Sequence, residues 1–280
     1  MSKRQQTPTS PSTSTSVPNK HCISFNDVLQ ASKRIKSIVH QTPVLTSSSI
    51  NTLCDNRQLF FKVEAMQRTG SFKFRGACNA TLALLEDREK RRYNNIDDDN
   101  DNDSTGNIHI VTHSSGNHAA AVALAAHEVS KILRMKNQTR DQNALKINAT
   151  IVMPKNAPII KVNGVKGFGG NIVFVDNTNE AREEMADEIV EKEGATFIHP
   201  SENEFVIAGQ GTVCLEMVQQ VKEMLQNCID TKYDLDAVII PVGGGGLASG
   251  NTIALRGLLG NHVKVCPLRL FAYLVYSNFS

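Results

Sequence analysis

Apolar and polar positions along the chain follow two alternating rhythms. From Cys22 onward, short runs rich in Ile and Val alternate with stretches whose apolar residues recur at every third or fourth position. Period two in one and 3.6 in the other predict strands interleaved with helices, an α/β architecture with helices on both sheet faces. Helices are expected over 25–39, from Lys73 onward, over 118–128, 158–167 and 180–192, and from the glycines at 243–246 to about Leu259. Strands are expected over 59–64, 108–112, 149–153, 171–175 and 237–242, with a turn at Pro43. Three stretches break the rhythm. Residues 1–20 are Ser, Thr, Pro, Gln and Lys with little to bury, which predicts a disordered tail. NNIDDDNDNDSTGN (94–107) and RMKNQTRDQNALK (134–146) read as solvated insertions between elements.

The segment TGSFKFRGACNA (69–80) poses a problem within this pattern. Ser71 is placed to cap a helix on which Phe74, Cys78, Thr81 and Leu85 repeat at helical spacing. Lys73 falls in register with Ala77, Ala80 and Leu84, so a lysine heads a seam of small and apolar residues. Such a lysine either snorkels past the helix start to water, or stays partly buried where desolvation and the helix dipole both disfavour its ammonium form. Periodicity leaves both readings open.

Composition narrows the classes. A chain of 280 residues with 40% hydrophobic and 21% charged residues suits a soluble globular protein of one large or two smaller domains. A net charge of +2 favours neither a nucleic-acid groove nor a membrane surface, and no apolar run is long enough to span a bilayer. Six scattered cysteines without a CxxC pair read as reduced thiols of a cytoplasmic protein. In the acidic insertion, Asp101, Asp103, Thr105 and Gly106 match the start of an EF-hand loop, but the twelfth position is Thr112 inside an expected strand. His109, His113 and His118 lie along a strand and the turn after it with no carboxylate cluster, so no metal site is assigned to them.

Two strand-to-helix turns carry chemistry. The apolar strand 237–242 leads into GGGGLASG (243–250), where successive glycines let backbone N–H groups approach an anion and the next helix start adds its dipole. Phosphate is the expected guest. The loose match Gly243, Gly245, Ala248 to a dinucleotide fingerprint lacks its acidic partner, since no Asp or Glu follows Asp236. The turn THSSGNHAAA (112–121) gathers hydroxyls and amide N–H groups at a helix start, which suits a carboxylate. A phosphate cradle, a carboxylate cradle and a lysine that must lose its proton together point to pyridoxal phosphate acting on an amino acid.

These residues carry a family resemblance. The stretches CISFNDV (22–28), HQTPVLTSS (40–48), LFFK (59–62), QRTGSFKFRGACNA (67–80), VTHSSGNH (111–118), VIAGQGT (206–212) and PVGGGGLASG (241–250) occur in an order that resembles the fold-type II pyridoxal-phosphate enzymes, the tryptophan-synthase-β-like group. Within it the chain is most similar to the serine racemases and threonine dehydratases. The resemblance implies two open, mostly parallel three-layer α/β/α domains. The larger, cofactor-binding one spans 21–95 and 204–280, and the smaller one 96–203. It also implies that Lys73 is the Schiff-base lysine and the base on one face of Cα, with Ser115 the acid/base on the other. Phe72 would flank the cofactor ring and Asn117 bond its hydroxyl. Gly243, Gly244, Gly245, Gly246 and Leu247 would hold the phosphate, and Ser114, Ser115, Gly116, Asn117 and His118 the substrate carboxylate. Racemisation of serine, and ammonia-lyase elimination from serine or threonine, would follow in a homodimer.

The resemblance further implies an ATP site, matched by Ser48, Ser49, Arg68, Thr69 and Lys161, with Arg68 where the family has lysine and Ala120 where it has glutamine. A divalent Mg or Ca site is expected of the family, but its acidic ligands lie in a part that this chain does not match after Cys266. Ser201 stands where racemases tend to have Asn. These departures make the large domain C-terminally incomplete and motivate a second expectation, an impaired paralogue acting through a full-length subunit. A nicotinamide-dependent oxidoreductase is the third.

Overall fold

A computed structural model describes residues 23–94, 107–136, 146–226 and 235–269. The expected tail, most of both insertions and the EF-hand-like aspartates lie outside these residues, as do Cys22, Cys228 and the last eleven positions. Helix α1 (Phe25–Ile35) opens with a reciprocal cap: Ser24 Oγ accepts from Asp27 N, and Ser24 N donates to Asp27 Oδ2 at 2.7 Å. Strand β1 (Val44–Leu45), helix α2 (Ser48–Leu53), strand β2 (Phe61–Lys62) and a 3₁₀ turn (Glu64–Met66) precede the long helix α3 (Lys73–Tyr93). β1 and β2 pair antiparallel.

The central sheet contains β3 (Ile108–His113), β4 (Ile147–Pro154), β5 (Asn171–Val175) and β6 (Thr196–Phe197) in the order β5-β4-β3-β6, all parallel. Its connections are α4 (Asn117–Lys136), α5 (Ile159–Gly167) and α6 (Asn179–Glu193). Strand alternation divides the sheet between two cores. Ile110, Ile151 and Met153 face α3 and α4, whereas their neighbours Val111 and Val152 join Val175 and the α6 residues Ala186 and Ile189. A third core lies between α1, helix α7 (Glu204–Gln226), helix α8 (Gly246–Leu259) and the parallel pair β7 (Ala237–Pro241) and β8 (Lys264–Leu268). The fold is thus mixed α/β around a parallel sheet, as the alternating pattern predicts.

Several expectations need correction. Ser71 does not cap α3: the N-cap is Phe72, which is itself in helical geometry, and no side chain caps the end. A turn closed by Gly70 N on Gln67 O at 2.7 Å brings the chain in with Ser71 Oγ away from the free N–H groups. The strand expected over 59–64 is only Phe61–Lys62, because the backbone turns 3₁₀ at Glu64. The helix expected over 25–39 ends at Ile35, and the one expected over 118–128 continues to Lys136. Helices α2 and α7 and strand β8 go beyond the expected elements.

Candidate active site

Lys73 is the first residue of α3, and its seam is buried: Ala77 is fully enclosed and Ala80 nearly so. Its side chain turns inward. Lys73 Nζ donates to Pro200 O at 2.7 Å and stands 5.3 Å from the centre of the Phe72 ring. Burial lowers the pKa of this amine from its ordinary value, and no carboxylate opposes the shift. The first turn of α3 holds no acidic residue either.

The acceptor belongs to a connector, Ile198–Ser201, that joins β6 to α7 and touches all three segments singled out in the sequence. Ile198 O accepts from Thr112 Oγ1 at 2.8 Å and from His118 Nε2 at 3.1 Å, which fixes the connector to β3 and to the start of α4. Pro200 O holds Lys73. Ser201 lies under the glycine bend: a Cβ added to Gly244 would stand 2.7 Å from Ser201 Oγ, and one on Gly246 would stand 3.1 Å from Ser201 O. The bend therefore needs glycine where the connector passes. Gly245, with φ +90°, turns the chain into α8 in a conformation open to glycine. Gly246 and Leu247 begin α8, whose first N–H groups have no acceptor within the helix and no acidic neighbour in the first turn.

At the α4 start the five expected cradle residues differ in what they have free. Ser114 N donates to Val152 O at 3.2 Å, and Ser114 Oγ accepts from Gly116 N at 3.2 Å. Ser115 is half-buried and Asn117 exposed. His118 is only 2% exposed, and burial pushes its pKa down to about 3, with the nearby Lys73 charge adding to the shift. The imidazole is neutral, donates through Nε2, and turns into the protein, so only its backbone N–H is available to a ligand at the turn.

Helix α7 brings the amine and the bend together. Gly209 and Gly76 touch backbone to backbone; a Cβ on Gly209 would stand 2.6 Å from Gly76 Cα and 2.7 Å from Arg75 O. On the other side of α7, a Cβ on Gly211 would stand 2.7 Å from Gly250 O of α8. The glycines of the AGQG segment thus seat α3 and α8 against one helix. The buried side-chain polar atoms without a partner among the described residues are Thr69 Oγ1, Ser71 Oγ, His118 Nδ1 and both amide atoms of Gln210. Thr69 and Ser71 precede Lys73, Gln210 packs on Gly76 one turn beyond it, and His118 senses its charge. Orphaned polar groups around an amine of lowered pKa, beside a glycine cradle, fit a small phosphorylated aldehyde.

A second polar cluster lies two residues further along α3. The fully buried Arg75 guanidinium donates to Glu64 through Nε and Nη2, both at 2.8 Å, and to Glu216 through Nη1 at 2.7 Å and Nη2 at 2.8 Å. Lys62 Nζ joins Glu216 at 2.9 Å, Gln220 at 2.7 Å and Thr42 O at 2.7 Å. Two cations and two carboxylates tie β2, the 3₁₀ turn, α3 and α7 into one balanced group.

The implied nucleotide residues come from three segments of the chain. Ser48 and Ser49 are exposed on α2, and Lys161 is exposed on α5. Arg68 is engaged with Glu128 at 2.8 Å, with Ile38 O at 3.2 Å and over the Phe74 ring. His109 bonds Thr150 Oγ1 and Glu193, and His113 stacks on Phe197. Among the described residues no group of three metal-ligating side chains occurs, and no helix is long and apolar enough to cross a membrane. Sequence reasoning missed the connector, Gln210 and the ion cluster. The signals available were the buried-helix run around AGQG and the lone proline before α7.

Comparison with known proteins adds the family. Residues 35–269 match the family model described as pyridoxal-phosphate dependent enzyme. The chain is 38% identical over 239 residues to a serine racemase of Arabidopsis thaliana, covering 85% of this chain and 59% of that protein. It is 37% identical to a serine racemase of Homo sapiens, covering 85% and 58% respectively. It therefore spans less than two thirds of these relatives. Among solved structures, the serine racemase of Dictyostelium discoideum superposes with a TM-score of 0.69 at 36% identity, covering 89% of this chain and 66% of that one. The maize serine racemase superposes with a TM-score of 0.66 at 37% identity, covering 86% and 60%. Threonine deaminase isoform 2 of Solanum lycopersicum, in its processed form, does so with a TM-score of 0.64 at 26% identity, covering 94% and 65%.

Proposed function

The chain belongs to the family of pyridoxal-phosphate-dependent enzymes, and from that premise we propose that it interconverts L- and D-serine. In the same reading it eliminates water from serine or threonine, giving pyruvate or 2-oxobutanoate and ammonia. The observation that carries the reading is the connector Ile198–Ser201, which links a half-buried amine without counter-charge to a four-glycine bend. Similarity to serine racemases from Arabidopsis, Dictyostelium and human supports the choice of substrate.

Pyridoxal phosphate, when bound, supplies an aldehyde and a ring that draws electrons from the substrate Cα. The chain supplies attachment, orientation and proton carriers. Lys73 needs a free lone pair, and burial without a carboxylate lowers the pKa of its amine in that direction. Its Nζ takes the Cα proton on one face. Ser115 Oγ serves the opposite face, so a proton removed on one side is returned on the other. The N–H groups at the start of α4 would hold the substrate carboxylate, Asn117 would bond the cofactor's ring hydroxyl and Phe72 would flank its ring. The N–H groups of Gly243 through Leu247 hold the phosphate. Loss of the β-hydroxyl after the same proton removal gives an enamine that hydrolyses to the oxo acid and ammonia.

The test uses the purified chain. Added pyridoxal phosphate should give a visible absorption band, and borohydride should fix one cofactor mass on the Lys73 peptide. L-Serine should lose optical purity and yield pyruvate, and Lys73→Ala should show neither the band nor the products. A protein that takes the cofactor nowhere, or takes it on a different residue, ends the reading.

A further inference from the structure

The connector is shaped by one imidazole. His199 Nδ1 accepts two backbone hydrogen bonds, from Ser201 N at 3.2 Å and from Glu202 N at 2.9 Å. An atom that accepts from two N–H donors carries no proton itself, so the ring is neutral with its hydrogen on Nε2. Those bonds close the turn that presents Pro200 O to Lys73 and lays Ser201 beneath Gly244 and Gly246. The turn then passes into α7, whose start Asn203 Oδ1 caps by accepting from Val206 N at 3.0 Å.

We propose that His199 is a positioning residue, fixing through this one turn both the resting place of the Lys73 amine and the floor of the glycine bend. The inference rests on Lys73 and the bend serving one guest, as in the reading above. Several groups face the ring. Glu202 Oε2 is 3.9 Å from Nε2, His113 of β3 lies edge-on at 6.2 Å between ring centres, and Phe197 of β6 lies at 6.0 Å. His118 of α4 interacts electrostatically with His199, while Arg182 and Glu183 of α6 act on His113.

The test compares His199→Asn, whose side-chain oxygen can accept the same two N–H groups, with His199→Leu, which cannot. In cofactor-free protein the rate at which trinitrobenzenesulfonate modifies Lys73 is followed by peptide mass. In His199→Leu the amine loses its fixed acceptor, and modification should be about tenfold faster, the worth of one hydrogen bond. In His199→Asn it should match wild type at about pH 8. His199→Ala, which also lacks the acceptor, should behave as His199→Leu does. The His199→Ala arm stands even where His199→Leu fails to fold. A folded His199→Leu or His199→Ala that labels at the wild-type rate overturns the proposal. Pyridoxal phosphate should bind about tenfold more weakly to His199→Leu and normally to His199→Asn. If the labelling results hold while no variant, wild type included, binds the cofactor, the proposed function fails and the role of His199 in the turn survives.

Discussion

Lys73 and Arg75 stand two residues apart on α3, both turned into the protein, and their surroundings lead them to opposite states. Arg75 loses water completely, yet four hydrogen bonds to two carboxylates outweigh the desolvation and raise its pKa. Lys73 meets only a carbonyl, so desolvation prevails and its pKa falls. Burial alone does not decide whether a cation survives; the counter-charge does. One helix turn thus carries a group held charged and a group inclined to give up its proton.

The comparison can be broken most forcefully at Arg75. Arg75→Met leaves Glu64 and Glu216 facing only Lys62, and should cost about 3–5 kcal/mol in urea unfolding, as breaking a buried ion pair does. Acid should imitate this in part. Burial pushes Glu216 up, but its bonds from Arg75 hold its carboxyl below the usual carboxylate range. Its contribution is therefore complete above the unfolded value of about 4.3 and lost as pH falls through the folded one. Removing Arg75 should flatten that acid limb.

Gly209→Ala is the next perturbation. It forces α7 away from Gly76 and Arg75 O, and should cost about 1–3 kcal/mol by the same unfolding assay. The two cations can also be made alike. Ser71→Asp places a carboxylate just before α3, raises the pKa of Lys73, and should slow borohydride-trapped cofactor capture about tenfold at neutral pH. An unchanged rate would show that a missing counter-charge is not what makes the amine available. The smallest effect has the opposite sign. Lys73→Met removes a group that burial penalises and should stabilise the cofactor-free fold by about 0.5–1 kcal/mol. Because the folded pKa of Lys73 is lowered, that gain is full below the folded value and shrinks as pH rises towards about 10.4.

What the sequence reveals and what it hides differ for physical reasons. The sheet is legible because Ile110 and Val111 must face opposite cores, and that alternation is written in residue types. The inward Lys73 is legible only in combination, because its register with Ala77 and Ala80 leaves snorkelling open and the two anion cradles decide against it. The connector is not, since Ile198 and Pro200 act through main-chain oxygens that any residue carries. Helix α7 is obscured by Gly209 and Gly211, poor helix formers whose presence reflects contacts with α3 and α8 rather than local preference. Ser71 misleads in the other direction, because a good capping residue is of no use when the incoming turn points its hydroxyl elsewhere.

The two glycine crossings on α7 have a consequence for size. With α3 and α8 each resting on the main chain of a common axle, the gap between amine and bend is gauged by backbone thickness. Side chains around the gap can tune how firmly a visitor is gripped or which way it tilts. How long it is allowed to be is settled beforehand, by helices with no side chain left to trim.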